Sequence, residues 1–195
     1  IAQAQNHFGR VDLLIANAGI VSYTPLASMS DQMFDDVMRT NVYGVFHSVR
    51  AALAPMTKQS YGRIVVIASQ AGRMGLKTGS HYSASKWAVI GMTKSLALEV
   101  AKQNITVNCV CPTVVNTPLY NNPAAWKRAL PNDPAPTREK FEAQQAIAPY
   151  SPQGIPWVQP EDISKAALFL LSDDADHITG AALDVTAGGS AMINA

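Results

Sequence analysis

Residues 11–19 read VDLLIANAG, a continuous apolar run that ends in an Asn-Ala-Gly turn. Two more runs of strand length follow, RIVVIAS at residues 63–69 and ITVNCVCP at residues 105–112, and a last one, AALDVT, lies at residues 181–186. Short apolar runs bounded by turn signals predict buried strands. Helical spacing between them predicts helices over residues 31–57, about 82–103 and 161–171. Buried strands that alternate with helices predict an α/β fold, a doubly wound parallel sheet with helices on both faces.

The region between the third strand and the last helix differs from the rest. Residues 113–159 hold eight of the twelve prolines and are too long for a plain connection. A short helix is predicted around residues 138–146. An insertion of this length in a compact domain is usually a lid or a binding loop. We therefore predict one domain over residues 1–195, with a substrate lid at about residues 119–159.

The composition excludes several function classes. The chain has 195 residues, of which 48% are hydrophobic and 15% charged, and its formal net charge is +1. Since no run of basic residues could neutralise a row of phosphates, we expect no nucleic-acid partner. The apolar runs are too short to cross a bilayer, and the first residues, IAQAQNHFGR, lack the charged start and apolar core of an export signal. We therefore expect no membrane partner and a cytoplasmic location.

The cysteines do not indicate a metal site. Cys109 and Cys111 are two residues apart on a predicted strand, so their side chains point to the same face. No other cysteine or histidine stands at ligand spacing beside them. We interpret both as reduced core residues and predict no metal.

Ser69, Tyr82 and Lys86 are the main candidates for chemistry. Tyr82 and Lys86 belong to the string YSASK and lie one turn apart on one face of a predicted helix. A tyrosine hydroxyl has a pKa near ~10, and a nearby ammonium favours the phenolate, which makes Tyr82 a candidate general base. Ser69 ends its strand, where it can hydrogen-bond a substrate oxygen. The alternative is that Tyr82 packs, Lys86 is solvated and Ser69 caps the strand.

These residues belong to a larger pattern. Asn17-Ala18-Gly19 follows the first strand, Asn41 stands in TNVYG, Ser69 lies thirteen positions before Tyr82, and PTVVNTP spans residues 112–118. In these motifs and their spacing the chain resembles the short-chain dehydrogenase/reductase family throughout its length. The resemblance implies a Rossmann-like fold. It also implies that about the first third of such a protein, with three strands and the glycine-rich turn, is absent here. No G-x-G-x-x-G pattern is present, and the chain opens in the tail of a helix.

The resemblance implies a role for each matching residue. Tyr82 is expected to be the acid/base, Lys86 to lower its pKa and hold the nicotinamide ribose, and Ser69 to donate to the substrate oxygen. Asn41 is expected to hold a water in a proton relay, and the alternative for Asn41 is a polar kink in a helix. The expected cofactor-binding residues are Asn17, Ala18, Gly19, Tyr82, Lys86, Pro112, Val115 and Thr117.

The implied reaction is hydride transfer between a nicotinamide cofactor and a secondary alcohol or ketone, of the EC 1.1.1 type. NAD is the expected cofactor and NADP the alternative. The family commonly has glycine after Pro112, whereas this chain has Thr113, which narrows the space beside the nicotinamide. Together with GIPWVQPEDIS and ITGAALDVTAGG, this makes the chain similar to the mycofactocin-coupled dehydrogenases related to carveol dehydrogenase. That similarity implies tightly held NAD and transfer of electrons to an external carrier.

The insertion carries three aromatic residues of interest. Trp126, Tyr150 and Trp157 form either an apolar substrate wall or a subunit contact. A proline-rich lid with two tryptophans favours a mid-sized apolar alcohol, such as a terpenoid. His81, next to Tyr82, either lines the pocket or is exposed at the start of the helix.

Low charge and two long helices with small-residue faces favour oligomerisation, and the resemblance implies a homotetramer. Two other functions stay open. One is a non-catalytic or truncated family member, supported by the missing glycine-rich turn. The other is an extended-family epimerase or dehydratase, which normally carries a larger C-terminal substrate domain than the tail after Ala181.

Overall fold

A computed structural model describes residues 1–148 and 151–192 of the chain. Its four strands pair in the order β1-β2-β3-β4, and every pair is parallel. Their bounds are β1 Leu13–Ala16, β2 Gly62–Ile67, β3 Ile105–Pro112 and β4 Ala182–Val185. The register places Ile64 beside Leu14 on one side and beside Val107 on the other. The predicted parallel α/β sheet is thereby confirmed.

Seven α-helices accompany the sheet in the described residues. They are α1 Ala2–Phe8, α2 Asp31–Met38, α3 Gly44–Gln59, α4 Ser80–Val100, α5 Pro123–Ala129, α6 Arg138–Ala146 and α7 Pro160–Leu171. The helix predicted over residues 31–57 is two helices, because a π-helical turn, Arg39–Tyr43, separates α2 from α3. None of the helices in the described ranges combines the length and apolar character needed to cross a membrane.

Helices cover both faces of the sheet, because successive strand residues point to opposite sides. On one face, α3 and α4 pack against Ile64, Val66 and Val107. On the other face, α7 packs against Val65 and Val110. All five strand residues are almost fully buried. Strands buried on both faces explain why the sequence reads as continuous apolar runs instead of alternating ones.

Cys109 and Cys111 lie in the core on the face of β3 that meets α4. Both are fully buried, and neither forms a disulfide. The predicted shared face and core position are confirmed. Within residues 1–148 and 151–192, no three His, Cys, Asp or Glu side chains are grouped so that they could hold a metal ion.

The insertion, residues 113–159, contains the predicted helix α6 and a second helix, α5, that was not predicted. α5 follows the cap residue Asn122 and α6 the cap residue Thr137, and each cap side chain accepts a hydrogen bond from a backbone N–H of the first turn. A parallel bridge between Val115 and Val158 joins the two ends of the insertion. The insertion therefore starts and finishes at one place, close to the end of β3.

Candidate active site

A cavity of about 1030 Å³ opens at the carboxyl ends of the strands. Three segments that leave the sheet line it: residues 17–21 after β1, 67–71 at the end of β2, and 112–115 at the end of β3. Residues of α4 and α7 complete the wall. Ligands of open parallel sheets bind at this end, because the loops that leave the strands converge there.

The cavity brings together nearly all of the predicted site residues. Those that line it are Asn17, Ala18, Gly19, Ser69, Tyr82, Lys86, Pro112, Val115 and Thr117. Asn41 is not among the lining residues. Thr113, the departure from the family pattern, also lines the cavity, and its N–H donates to the Val185 carbonyl oxygen at 3.1 Å.

Ser69 lies two residues after the end of β2 and caps the short turn Gln70–Gly72. Its Oγ accepts a hydrogen bond from the Ala71 N–H at 3.1 Å, which leaves the hydroxyl hydrogen available to another acceptor. Burial raises the pKa of Tyr82, and a hydrogen bond with Ser69 opposes that rise. Both side chains line the cavity, where their hydroxyls can contact one substrate oxygen.

Lys86 lies one turn after Tyr82 on α4, and only 5% of its surface is exposed. Its Nζ donates a hydrogen bond to the Ile67 carbonyl oxygen at 2.9 Å and lies 5.7 Å from the centre of the Tyr82 ring. Burial lowers the pKa of Lys86 to about 8. The alternative of a solvated lysine is therefore wrong. The expected net lowering of the Tyr82 pKa is not found either, because burial of the phenol is the largest influence on it.

Asn41 stands in the π-helical turn, 1% exposed. Its Oδ1 accepts the Ile20 N–H at 2.8 Å, and its Nδ2 donates to the Ile20 carbonyl oxygen at 2.9 Å and to Ser85 Oγ at 3.0 Å. Both amide hydrogens thus have acceptors, and only Oδ1 retains capacity for a further donor. The alternative of a polar residue at an irregular point of a helix fits the backbone, since a π-helical turn interrupts the α-helix here. The side chain also holds the Ile20 backbone in place.

The tryptophans expected to line the cavity lie elsewhere in the insertion. Trp126 donates from Nε1 to Asn121 Oδ1 at 3.2 Å, and Trp157 is buried against Phe141 with ring centres 5.8 Å apart. Neither tryptophan lines the cavity, so the expected tryptophan wall is wrong. Tyr150 lies outside the described residues.

Tyr23 and Tyr120 line the cavity instead. Sequence reasoning missed Tyr23, because nothing in its local pattern distinguishes it from other loop tyrosines. Tyr120 closely follows PTVVNTP, and this position was the available signal. Apolar residues complete this side, namely Val21, Met74, Leu76, Val114 and Leu119.

His81 is buried, so the expectation of an exposed histidine at the helix start is wrong. Its Nε2 shares a hydrogen bond of 2.6 Å with Ser22 Oγ, and burial lowers its pKa. It is absent from the residues that line the cavity, so the pocket-lining alternative is not met either. His81 joins the start of α4 to the loop after β1.

Comparison with known proteins identifies the family. A model of the short chain dehydrogenases matches residues 1–128. The (−)-trans-carveol dehydrogenase of Rhodococcus erythropolis is 40% identical over 190 residues, which cover 96% of this chain and 68% of that enzyme. The chain belongs to the short-chain dehydrogenase family. It is therefore an oxidoreductase by family, and it resembles carveol dehydrogenase.

Solved structures of short-chain dehydrogenases share this fold. A carveol dehydrogenase from Mycobacterium avium in complex with NAD has a TM-score of 0.93 and 32% sequence identity, covering 96% of this chain and 68% of that one. An ElxO variant with NADPH bound has a TM-score of 0.84 and 29% identity, covering 98% and 72% of the two chains. The Rossmann-like fold expected from the resemblance is thus confirmed.

Proposed function

We propose that this short-chain dehydrogenase transfers a hydride between a secondary alcohol or ketone and a nicotinamide cofactor. The observation that carries the proposal is the arrangement of Ser69, Tyr82 and Lys86 on one wall of the cavity. Two hydroxyls that line one cavity can hold a substrate oxygen and move its proton, and a buried ammonium one turn away can hold a polar ligand.

The surroundings of Lys86 fit the sugar of a nicotinamide cofactor. An ammonium has three hydrogen-bond donors, and among the described residues the Ile67 carbonyl oxygen accepts one of them. Ribose hydroxyls are suitable acceptors for the others. Gly19 leaves space beside this ammonium, since an added Cβ would lie 3.5 Å from Lys86 Nζ. When bound, the cofactor supplies the hydride acceptor or donor.

We assign the other cofactor contacts to the loops after β1 and β3. Asn17, Ala18 and Gly19 border the adenosine side, and Pro112, Val115 and Thr117 meet the nicotinamide and phosphates. NAD is the proposed cofactor, supported by the NAD complex of the Mycobacterium avium relative. NADP is the alternative, supported by the NADPH complex of the ElxO variant.

The proton chemistry is assigned to Tyr82. In alcohol oxidation its phenolate takes the hydroxyl proton of the substrate, and in ketone reduction its phenol gives a proton to the substrate oxygen. Ser69 donates a hydrogen bond to that oxygen. The Lys86 ammonium stabilises the phenolate when it forms, because opposite charges attract strongly in a buried site. Asn41 does not line the cavity, and its proposed role is to hold a relay water through its Oδ1.

The proposed substrate is a mid-sized apolar alcohol such as a terpenoid. Five apolar side chains and two tyrosines line the substrate side of the cavity, and the 40% identical relative is a carveol dehydrogenase. The proposed lid is the insertion at about residues 119–159, since Leu119 and Tyr120 at its start line the same cavity.

We further propose a cytoplasmic homotetramer that passes electrons from tightly held NAD to an external carrier, as in mycofactocin-coupled dehydrogenases. Large apolar side chains exposed on α2, α3 and α4 support self-association, because such residues are costly to leave in water. They are Phe34, Phe46 and Trp87.

The test is an assay of the purified full-length protein with carveol and NAD, in which NADH absorbance and the reduction of an added artificial electron acceptor are both followed. Tyr82→Phe is expected to lower turnover about 100-fold or more while NAD binding persists, because only the proton-transfer group is lost. Tyr43→Phe is the matched control, since Tyr43 is exposed and outside the cavity. Near-normal turnover by Tyr82→Phe would remove the assignment. NAD binding without turnover of any alcohol or ketone would favour a non-catalytic family member. Conversion of a substrate with neither net NADH nor reduction of the acceptor would favour an epimerase or dehydratase.

A further inference from the structure

Residues 20–24, IVSYT, form a loop after β1 that we call the tyrosine loop. Besides the Asn41 contacts to its first residue, two hydrogen bonds attach it to the region around the start of α4. Ser22 Oγ lies 2.6 Å from His81 Nε2, and the Thr24 N–H donates to the Thr78 carbonyl oxygen at 2.7 Å. The tyrosine loop is therefore fixed on the side that faces the catalytic helix.

Tyr23 lines the substrate side of the cavity together with Val21 of the same loop. Burial raises its pKa to about 12, so its side chain is a neutral phenol at physiological pH. Tyr23 and Tyr82 line the same cavity. Tyr23 therefore forms part of the wall that a substrate at Tyr82 would touch.

The opposite side of Tyr23 is covered by the insertion. Arg128 of α5 places its guanidinium carbon 3.7 Å from the centre of the Tyr23 ring and 5.6 Å from that of Tyr120. A guanidinium over an aromatic face within about 6 Å is attracted to it, because the ring face is negative. Arg128 thus joins the tyrosine loop, which precedes α2, to a helix more than a hundred residues later in the chain.

Tyr120 is in turn anchored in the interior of the insertion. Its ring centre lies 5.9 Å from that of Phe141, which is fully buried and lies 5.8 Å from Trp157. Arg138 stacks on the far side of Trp157 at 5.3 Å. Arg128 therefore contacts both Tyr23 of the fixed tyrosine loop and Tyr120, which packs on the aromatic cluster inside the insertion.

We propose that Arg128 clamps the insertion onto Tyr23, and that the clamped Tyr23 ring narrows the substrate side of the cavity so that it favours compact over extended apolar alcohols and ketones. Arg128 is a positioning residue that acts through Tyr23, and Tyr23 is a specificity-determining residue. This inference rests on the proposed function, because it assigns the substrate side of the same cavity.

If Arg128 acts as this clamp, its removal should change KM for the substrate much more than kcat. In Arg128→Ala the KM for carveol should rise about 2- to 5-fold, the scale of one partly exposed cation–π contact, while kcat changes by less than about 2-fold. Preference should move toward a linear secondary alcohol of equal carbon number. Lys127→Ala is the matched control, since Lys127 is the neighbouring exposed cation on α5.

A double-mutant cycle tests whether Arg128 acts through Tyr23. Tyr23→Leu removes the ring, whereas Tyr23→Phe keeps it and should keep the clamp. If the clamp exists, adding Arg128→Ala to Tyr23→Leu changes KM little beyond Tyr23→Leu alone, because the shared contact is already gone. Additive effects, or an Arg128→Ala variant indistinguishable from Lys127→Ala, would overturn the proposal.

Amide hydrogen exchange separates failure of the clamp from failure of the proposed function. Without any substrate, Arg128→Ala and Tyr23→Leu should both accelerate exchange in residues 20–24 and in α5, and Lys127→Ala should not. If the wild-type protein turns over no alcohol and the three variants still show this exchange pattern, the function fails and the clamp stands. Unchanged exchange in both segments would remove the clamp whatever the activity.

Discussion

Asn41 binds both backbone polar groups of Ile20, accepting its N–H at 2.8 Å and donating to its carbonyl oxygen at 2.9 Å. The side-chain amide thereby takes the place of a strand partner for a residue that has just left the sheet. Ile20 lies between the Asn17–Gly19 segment and the rest of the tyrosine loop. One buried side chain therefore positions the proposed cofactor wall and the proposed substrate wall together.

Asn41→Ala should destabilise the fold by roughly 1–3 kcal/mol, because it removes a buried amide that makes two hydrogen bonds to the Ile20 backbone and one to Ser85. Chemical denaturation measures the change. Asn132→Ala is the control, since this exposed amide should matter by less than about 0.5 kcal/mol. Equal stability of the two variants would show that Asn41 does not support the segment.

The raised pKa of Tyr82 predicts opposite pH dependences for the two directions of the reaction. Oxidation needs the phenolate, the minor form at neutral pH, so its kcat/KM should rise with pH toward the tyrosine pKa. Reduction needs the phenol, so its kcat/KM should stay level and fall only above that pKa. Initial rates from pH 6 to pH 10.5 measure both profiles.

Ser69→Ala should move the oxidation profile to higher pH, because the lost hydrogen bond is one that lowers the Tyr82 pKa. Ser48→Ala is a suitable control, since the Ser48 hydroxyl donates to the Gly44 carbonyl oxygen within α3. A midpoint that stays in place or moves to lower pH would contradict the contact between Ser69 and Tyr82.

Lys86 makes the stability of the fold depend on pH. Its pKa is about 8 in the folded state, against a usual value of 10.5, so the unfolded chain binds more protons between these values. Stability should therefore increase as pH rises from 8 to 10.5, by an amount on the order of 3 kcal/mol if the full shift is expressed. Lys86→Met should remove this increase, and the exposed Lys77→Met should keep it. Denaturation curves at pH 7 and pH 10 decide between the two outcomes.

Gly72 predicts a steric effect close to Ser69. A Cβ added there would lie 2.6 Å from Ile90 Cδ1 and 2.8 Å from the Lys86 carbonyl oxygen, and the backbone atom cannot move aside alone. Gly72→Ala should cost about 1–3 kcal/mol and lower turnover by displacing the turn that Ser69 caps. Gly75→Ala, with no heavy atom within 4 Å of its added Cβ, should affect neither. Thermal unfolding and the carveol assay together test this.

Local patterns predicted the elements that local forces decide. The third strand was predicted at residues 105–112 and found at Ile105–Pro112, because an apolar run bounded by turn signals is complete in itself. The helix α6 was likewise found over the predicted residues. In contrast, α5 was missed, because seven residues between prolines carry too short a pattern, and its cap residue Asn122 is common in loops. The π-helical turn was missed because its backbone conformation depends on the burial of Asn41.

The site divides in the same way. The strand and helix pattern was sufficient to predict the parallel α/β sheet and the shared helix face of Tyr82 and Lys86, because residues four apart lie on one side of a helix. The placement of Ser69 beside this pair was implied by the family resemblance. Three features could be known only from the assembled fold: Lys86 is buried, the tryptophans lie away from the cavity, and Arg128 lies over the Tyr23 ring. These outcomes depend on packing between segments far apart in the chain, where burial and contact are properties of the assembled fold and leave no period or spacing in the sequence.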